Sequence, residues 1–172
     1  MTLIKYFSIG LLMMSLAACS PREIPAPSIE RSPAPDFSLQ DIQGQTIDSN
    51  AFKGQWVVVN IWATWCPPCT REIPSFIALQ NKLAKKNVQF IGISVDDGGI
   101  DVVQSFAQRN GINYPILLAN MDTIHSFFGS IDAIPTTLII DPEWHLVNKH
   151  TGLLTRSALQ DELLARISAY KK

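Results

Sequence analysis

NIWATWCPPCTREIP, residues 60–74, places Cys66 and Cys69 on either side of two prolines. Ahead of it, WVVVNIWA (56–63) is apolar nearly throughout and rich in β-branched residues, the composition of a strand buried on both faces of a sheet. Behind it, Ile73, Phe76, Ile77, Leu79 and Leu83 fall at helical spacing. Cys66 therefore stands where a buried strand hands over to a helix. Pro67 and Pro68 lack the N–H that a first helical turn leaves unpaired anyway, so both fit there, whereas Pro74, deeper in, is expected to kink the helix. A sulfur at a helix N-terminus meets the positive end of the peptide dipoles, which favours the thiolate. Cys69, three residues on, shares that helix face. The spacing lets one sulfur attack a substrate disulfide and the other displace it, leaving Cys66 and Cys69 joined.

Two other uses of the pair are open to the same residues. Zinc needs about four ligands, and here there is a single Cys-x-x-Cys with three scattered histidines, His125, His145 and His150. No metal is therefore expected. A purely structural disulfide is disfavoured because so short a loop restrains the unfolded chain little.

Working outward, residues 37–48 (FSLQDIQGQTID) alternate around Gly44 and read as a β-hairpin, followed by a short helical turn at Ala51 and Phe52. VQFIGISV (88–95) is a second buried strand. Residues 100–110 read as a helix with Val103, Phe106 and Ala107 inward, ended by Gly111. PILLA (115–119) is a short strand, and residues 123–128 a short helix. TTLIID and HLVNKHT form two antiparallel strands joined by the turn DPEW. A closing helix runs over about 155–170, with Leu159, Leu163, Leu164 and Ile167 on its apolar face. Asp96, Asp97, Gly98 and Gly99 read as a flexible polar loop without the lysine or spacing of a phosphate loop. The alternation of strands and helices predicts an α/β domain around a central mixed sheet.

The chain has 172 residues and a formal net charge of −1, without a basic stripe, so nucleic acid is not an expected partner. Three cysteines are too few for a disulfide scaffold and leave Cys19 over. Lys5 followed by the apolar stretch 6–18 has the charged start and short length of a secretory signal. LAAC, ending at Cys19, resembles a bacterial lipobox, in which cleavage precedes the cysteine and the cysteine carries a lipid. That implies a signal peptide over 1–18 and a domain tethered to a membrane surface rather than spanning it. Ser20 after the cysteine favours the outer membrane. Residues 20–35 contain five prolines and few apolar side chains. They predict an extended linker reaching roughly 50 Å at about 3.1 Å per residue, with the folded domain over 36–172.

Taken together, PDFSL, NIWATWCPPCTREIP, IPTTLIID and TGLLTRSAL resemble the thioredoxin fold, and specifically the membrane-tethered TlpA/ResA-type thiol-disulfide oxidoreductases, over residues 35 to about 170. The resemblance implies a thioredoxin-like sheet flanked by helices, with an N-terminal hairpin. It implies catalysis by Cys66 and Cys69 without a cofactor. It implies a cis peptide before Pro135, with Ile134, Pro135 and Thr136 meeting the client alongside Trp65, Pro67 and Pro68. Many thioredoxins carry an aspartate where Asn60 stands. TlpA/ResA-like chains have instead a glutamate three residues after the second cysteine, here Glu72, which is expected to move protons for Cys69.

The implied partners are a disulfide-bearing client protein, with apocytochrome c as one candidate, and a DsbD-like membrane thiol donor. The implied location is the cell envelope. Because Pro67 and Pro68 cannot donate hydrogen bonds to a Cys66 thiolate, the dithiol is expected to be a reductant. Trp65 is expected to cover the site, and Trp56 and Trp62 to pack in the core. A peroxidase is disfavoured because Ala63, not threonine, stands three residues before Cys66. A Sco-type copper carrier is disfavoured because its spacing is Cys-x-x-x-Cys.

Overall fold

The computed structural model describes residues 31–170. The stretch read as a signal peptide, Cys19 and the expected linker up to Glu30 lie outside the described residues. From Ser32 onward the chain forms β1 (Ser32–Pro33), β2 (Ser38–Asp41), β3 (Thr46–Asp48), β4 (Trp56–Trp62), α1 (Pro67–Leu83), β5 (Val88–Ser94), α2 (Ile100–Asn110), β6 (Ile116–Leu118), α3 (Met121–Phe128), β7 (Thr136–Ile140), β8 (His145–Thr151) and α4 (Arg156–Tyr170). One eight-stranded mixed sheet runs β1-β8-β7-β4-β5-β6-β2-β3. β4 pairs in parallel with β5 and antiparallel with β7, so the strand that leads to the cysteines lies inside the sheet.

Every residue of β4 is buried, as its unbroken apolar run requires. From Trp56 to Val59 its side chains alternate between two cores. Val58 joins Phe76, Leu79 and Leu83 of α1 and Leu159, Leu163 and Ile167 of α4. Val57, Val59 and Ile61 join Val103 and Ala107 of α2 and Ile124 of α3. Trp56 and Trp62 are both buried. α1 continues through Pro74 to Leu83. Phe106 and Leu164, expected inward, are only partly buried.

The hairpin turn is held by Asp41, whose Oδ1 accepts from Gln43 N–H and Gln45 N–H, both at 2.8 Å, while Gly44 takes φ +77°. The sequence DPEW turns in the same way. Asp141 Oδ1 accepts from Glu143 N–H at 3.0 Å and His145 N–H at 2.9 Å.

The ordered domain begins earlier than the prolines suggest. Ser32 and Pro33 pair with Leu146 and His145, Ala34 N–H donates to Trp144 O at 2.9 Å, and Trp144 Nε1–H donates to Pro35 O at 3.3 Å. The Arg31 guanidinium pairs with Asp141 and Glu143. The last residues read as linker therefore belong to the sheet. A two-residue strand built on a proline has no hydrophobic period by which sequence could reveal it.

α4 is tied to β8 by Glu162, which accepts from Asn148 Nδ2 and Arg166 Nε and lies 2.7 Å from His150 Nε2. Burial pushes the Glu162 carboxyl up, but hydrogen bonds from His150, Asn148 and Arg166 outweigh it and hold the group down at about 2, from an ordinary 4.5. A depressed carboxyl stabilises the fold above its unfolded value, and that contribution disappears as pH falls through the folded value. Glu162→Gln is thus expected to flatten the loss of stability between about pH 4.5 and 2, a contribution on the order of 2–3 kcal/mol. Urea unfolding at pH 5 and pH 3 reads this directly, and equal slopes in the two proteins would remove Glu162 from the acid response.

Candidate active site

Cys66 is the N-cap of α1, in extended backbone conformation at φ −95°, ψ 103°. Its amide donates to Ala63 O at 3.3 Å, closing a turn. Its sulfur accepts from Cys69 N–H at 3.4 Å, the third helical amide and a normal partner of an N-cap side chain. Positions one and two of the helix are Pro67 and Pro68, which contribute no donor. Cys66 and Cys69 are joined as a disulfide with Cα atoms 5.3 Å apart. Cys66 is 4% exposed and Cys69 0%.

The Ile134–Pro135 peptide is cis, and Ile134 O lies 3.8 Å from Cys66 Sγ. Topology brings these distant segments together, because β7, which begins at Thr136, runs antiparallel beside β4. Pro135 is buried and Ile134 half-buried. Thr136, expected at the client surface, is instead fully buried and donates its hydroxyl to Ala133 O at 2.6 Å, so it shapes the turn. Trp65 is 65% exposed, so it stands out beside Cys66 rather than packing down as a cover. Pro67 is exposed and Pro68 half-buried.

Glu72 is 1% exposed, which contradicts the simple expectation for a glutamate in the first turns of a helix. Asn60 Nδ2 donates to its Oε1 at 2.8 Å, and Leu154 N–H donates to its Oε2 at 3.1 Å. Asn60 also donates to Thr137 Oγ1 at 3.1 Å. Burial pushes the Glu72 carboxyl up to about 7, against the downward pull of the Leu154 and Asn60 hydrogen bonds. An acid that exchanges its proton near neutrality thus lies one helical turn beyond Cys69.

Sequence reasoning did not find Asn60 and Leu154 as partners of Glu72. The signal was there for Asn60, the one polar residue in a strand that is otherwise apolar, since a buried amide needs a partner. Asp96 also differs from its reading as part of a free loop. Its carboxylate accepts from Thr64 N–H at 2.9 Å, from the Thr64 hydroxyl and from Ser94 Oγ at 2.7 Å. Thr64, the residue nearest in sequence to a peroxidase threonine, therefore has its hydroxyl committed to Asp96.

Among the described residues, the one group of side chains close enough to share a metal is Asp141, Glu143 and His145. It lies beyond the far end of β7 from the cysteines, and the Arg31 guanidinium already sits on both acids. His125 Nε2 is 3.3 Å from Ile131 O, and His150 faces Glu162.

The family model described as the AhpC/TSA family matches residues 31–149. The thiol-disulfide oxidoreductase ResA of Bacillus subtilis (strain 168) is 34% identical over 134 residues, 77% of this chain and 73% of the relative. ResA of Geobacillus thermodenitrificans is 32% identical over 132 residues, 77% of this chain and 75% of the relative. Among solved structures, a thiol:disulfide interchange protein of the thioredoxin family from Chlorobium tepidum is 30% identical with a TM-score of 0.72, covering 80% of this chain and 97% of that one. A secreted thiol-disulfide isomerase from Corynebacterium glutamicum is 26% identical with a TM-score of 0.75, covering 80% of this chain and 87% of that one. A Cys-x-x-Cys pair at the N-terminus of α1, on a thioredoxin-like sheet and in this company, performs dithiol/disulfide exchange: the chain belongs to the AhpC/TSA family and, within it, to the ResA-type thiol-disulfide oxidoreductases.

Proposed function

We propose that this oxidoreductase reduces disulfides of client proteins in the cell envelope, held to a membrane by lipid on Cys19, with its electrons supplied by a membrane dithiol donor. Apocytochrome c is the proposed client. The observation that supports the reductive reading is the Pro67–Pro68 start of α1, which leaves Cys69 N–H as the one amide of the first turn donating to the Cys66 sulfur, while the buried Glu72 carboxyl one helical turn from Cys69 serves proton exchange.

In the proposed cycle the Cys66 thiolate attacks a client sulfur. The client S–S bond breaks, and a mixed disulfide forms with one client thiolate released. Ile134 and Pro135 dock the client backbone beside the sulfur. Glu72 takes the proton from the Cys69 thiol, and the resulting thiolate attacks Cys66 Sγ. The second client thiolate leaves and is protonated, and the Cys66–Cys69 disulfide remains. The client has gained two electrons, with one proton passed on by Glu72 to the second client thiolate and one taken from solvent by the first, and a membrane dithiol then returns two electrons to the Cys66–Cys69 pair.

The decisive measurement is the reduction potential of the pair, by titration of a soluble fragment that starts at Ser20. A value near or below about −230 mV supports a reductant, and one near about −120 mV would make the protein an oxidant and overturn the reading. The prolines enter here. Pro68 occupies the second helical position, where any other residue would aim an N–H at the N-cap sulfur. Pro68→Ala supplies that donor, stabilises the thiolate and hence the dithiol form, and is expected to raise the potential by about 30 mV. An unchanged potential would leave the prolines a role in turn shape alone.

A further inference from the structure

We propose that Asp96 is a positioning residue for the dithiol: by gripping Thr64 it sets the turn from which Cys66 attacks. The proposal rests on Cys66 being the nucleophile and concerns what places it there. β5 runs parallel to β4 with Ser94 opposite Trp62, and Val95 N–H donates to Trp62 O at 2.9 Å. The pairing therefore continues one step past both strands and delivers Asp96 beside Thr64. Both carboxylate oxygens are engaged. Oδ2 accepts from Thr64 N–H and from the hydroxyl of Ser94, a residue itself 1% exposed. Oδ1 accepts from the Thr64 hydroxyl and, at 3.2 Å, from Thr64 N–H.

Thr64 lies two residues ahead of the N-cap, so Asp96 is not capping α1. What it restrains is the turn closed by Cys66 N–H on Ala63 O. That turn decides where Cys66 Sγ sits relative to its donor, Cys69 N–H, at 3.4 Å. That distance is ordinary for an amide donating to sulfur, and it is the one backbone amide the first helical turn supplies to Cys66, so a shift of the turn costs the sulfur its donor, and small misplacements of a reacting atom are costly. Hydrogen bonds to an ionised acceptor are about twice as strong as neutral ones, which suits a carboxylate to holding the four residues 63–66 that lie outside any helix or strand.

The test is the pH–rate profile of Cys66 alkylation in the reduced full-length protein. Asp96→Ala is expected to slow alkylation at pH 7 by about tenfold and to shift the profile to higher pH, because the thiolate loses its donor. Asp96→Asn keeps an acceptor oxygen for Thr64 and is expected to recover most of the rate. Thr64→Val keeps the backbone contact, loses the hydroxyl contact, and is expected to fall between them; it also serves should Asp96→Ala fail to fold. Profiles of Asp96→Ala and Thr64→Val that superimpose on the wild type, even with a lowered Tm, would overturn the proposal and leave Asp96 a stability residue. Peptide mapping of the fast-labelled sulfur keeps the two claims apart. Labelling at Cys69 sinks the nucleophile assignment, whereas unchanged profiles sink the role of Asp96 whichever sulfur reacts.

Discussion

Cys69→Ser, reduced and mixed with an oxidised client, is expected to stop as a covalent adduct through Cys66, visible as a single band on a non-reducing gel and released by excess dithiol. Cys66→Ser is expected to give no adduct and no turnover above background. The asymmetry follows from burial and polarity. Cys66 keeps a small exposed surface and lies at the positive end of α1, with an amide donor and the Ile134 carbonyl beside it. Cys69 has no exposed surface, so the disulfide it can reach is the one already formed on Cys66. Serine is un-ionised at neutral pH and cannot form the mixed disulfide, and removing one member of a pair that acts as a unit costs nearly the whole activity. The reverse pattern, with Cys66→Ser trapping client and Cys69→Ser inert, would exchange the two roles.

Glu72→Gln is expected to slow resolution of the mixed disulfide by about a hundredfold at pH 7, the lower range for loss of a positioned base. The wild-type rate should rise through an inflection near 7, where Glu72 ionises. In the variant that inflection vanishes, and the rate follows the Cys69 thiol itself at higher pH. Stability should change in a linked way. The folded carboxyl sits above its unfolded value of 4.5, so the folded state binds the proton more tightly. Its contribution is therefore greatest below about pH 4.5 and declines as pH rises to about 7. Glu72→Gln abolishes that decline, which amounts to at most about 3 kcal/mol. Urea unfolding of the oxidised proteins at pH 5 and pH 8 measures it. A variant that keeps both the inflection and the slope would exclude Glu72 as the titrating group.

What sequence could show here was what lies in short-range order. The span of α2 from Ile100 to Asn110 was legible because apolar spacing and Gly111 mark both its face and its end. Cys66, Cys69 and Glu72 were legible because they occupy one segment, with a spacing that chemistry requires. The partners that give those residues their properties were not. Asn60 and Glu72 are 12 positions apart, Thr64 and Asp96 are 32, and Glu72 and Leu154 are 82. Such contacts are created by strand order and leave no period in the chain. The same holds for Thr136, whose motif suggested a surface role while the paths of β7 and β4 buried it.

The short strand β1 bears on how the domain could be shed from its N-terminal arm. A protease cutting upstream of Arg31 would release the domain with its sheet complete. A cut at Pro35 would remove the cation from Asp141, a side chain only 2% exposed, and strip Ala34 and β1 from Trp144 and β8. Asp141 would keep the Glu143 and His145 amides on Oδ1 but lose the cation on Oδ2, which lowers stability. The site of cleavage in the proline-rich stretch thus separates release of an intact oxidoreductase domain from release of a weakened one.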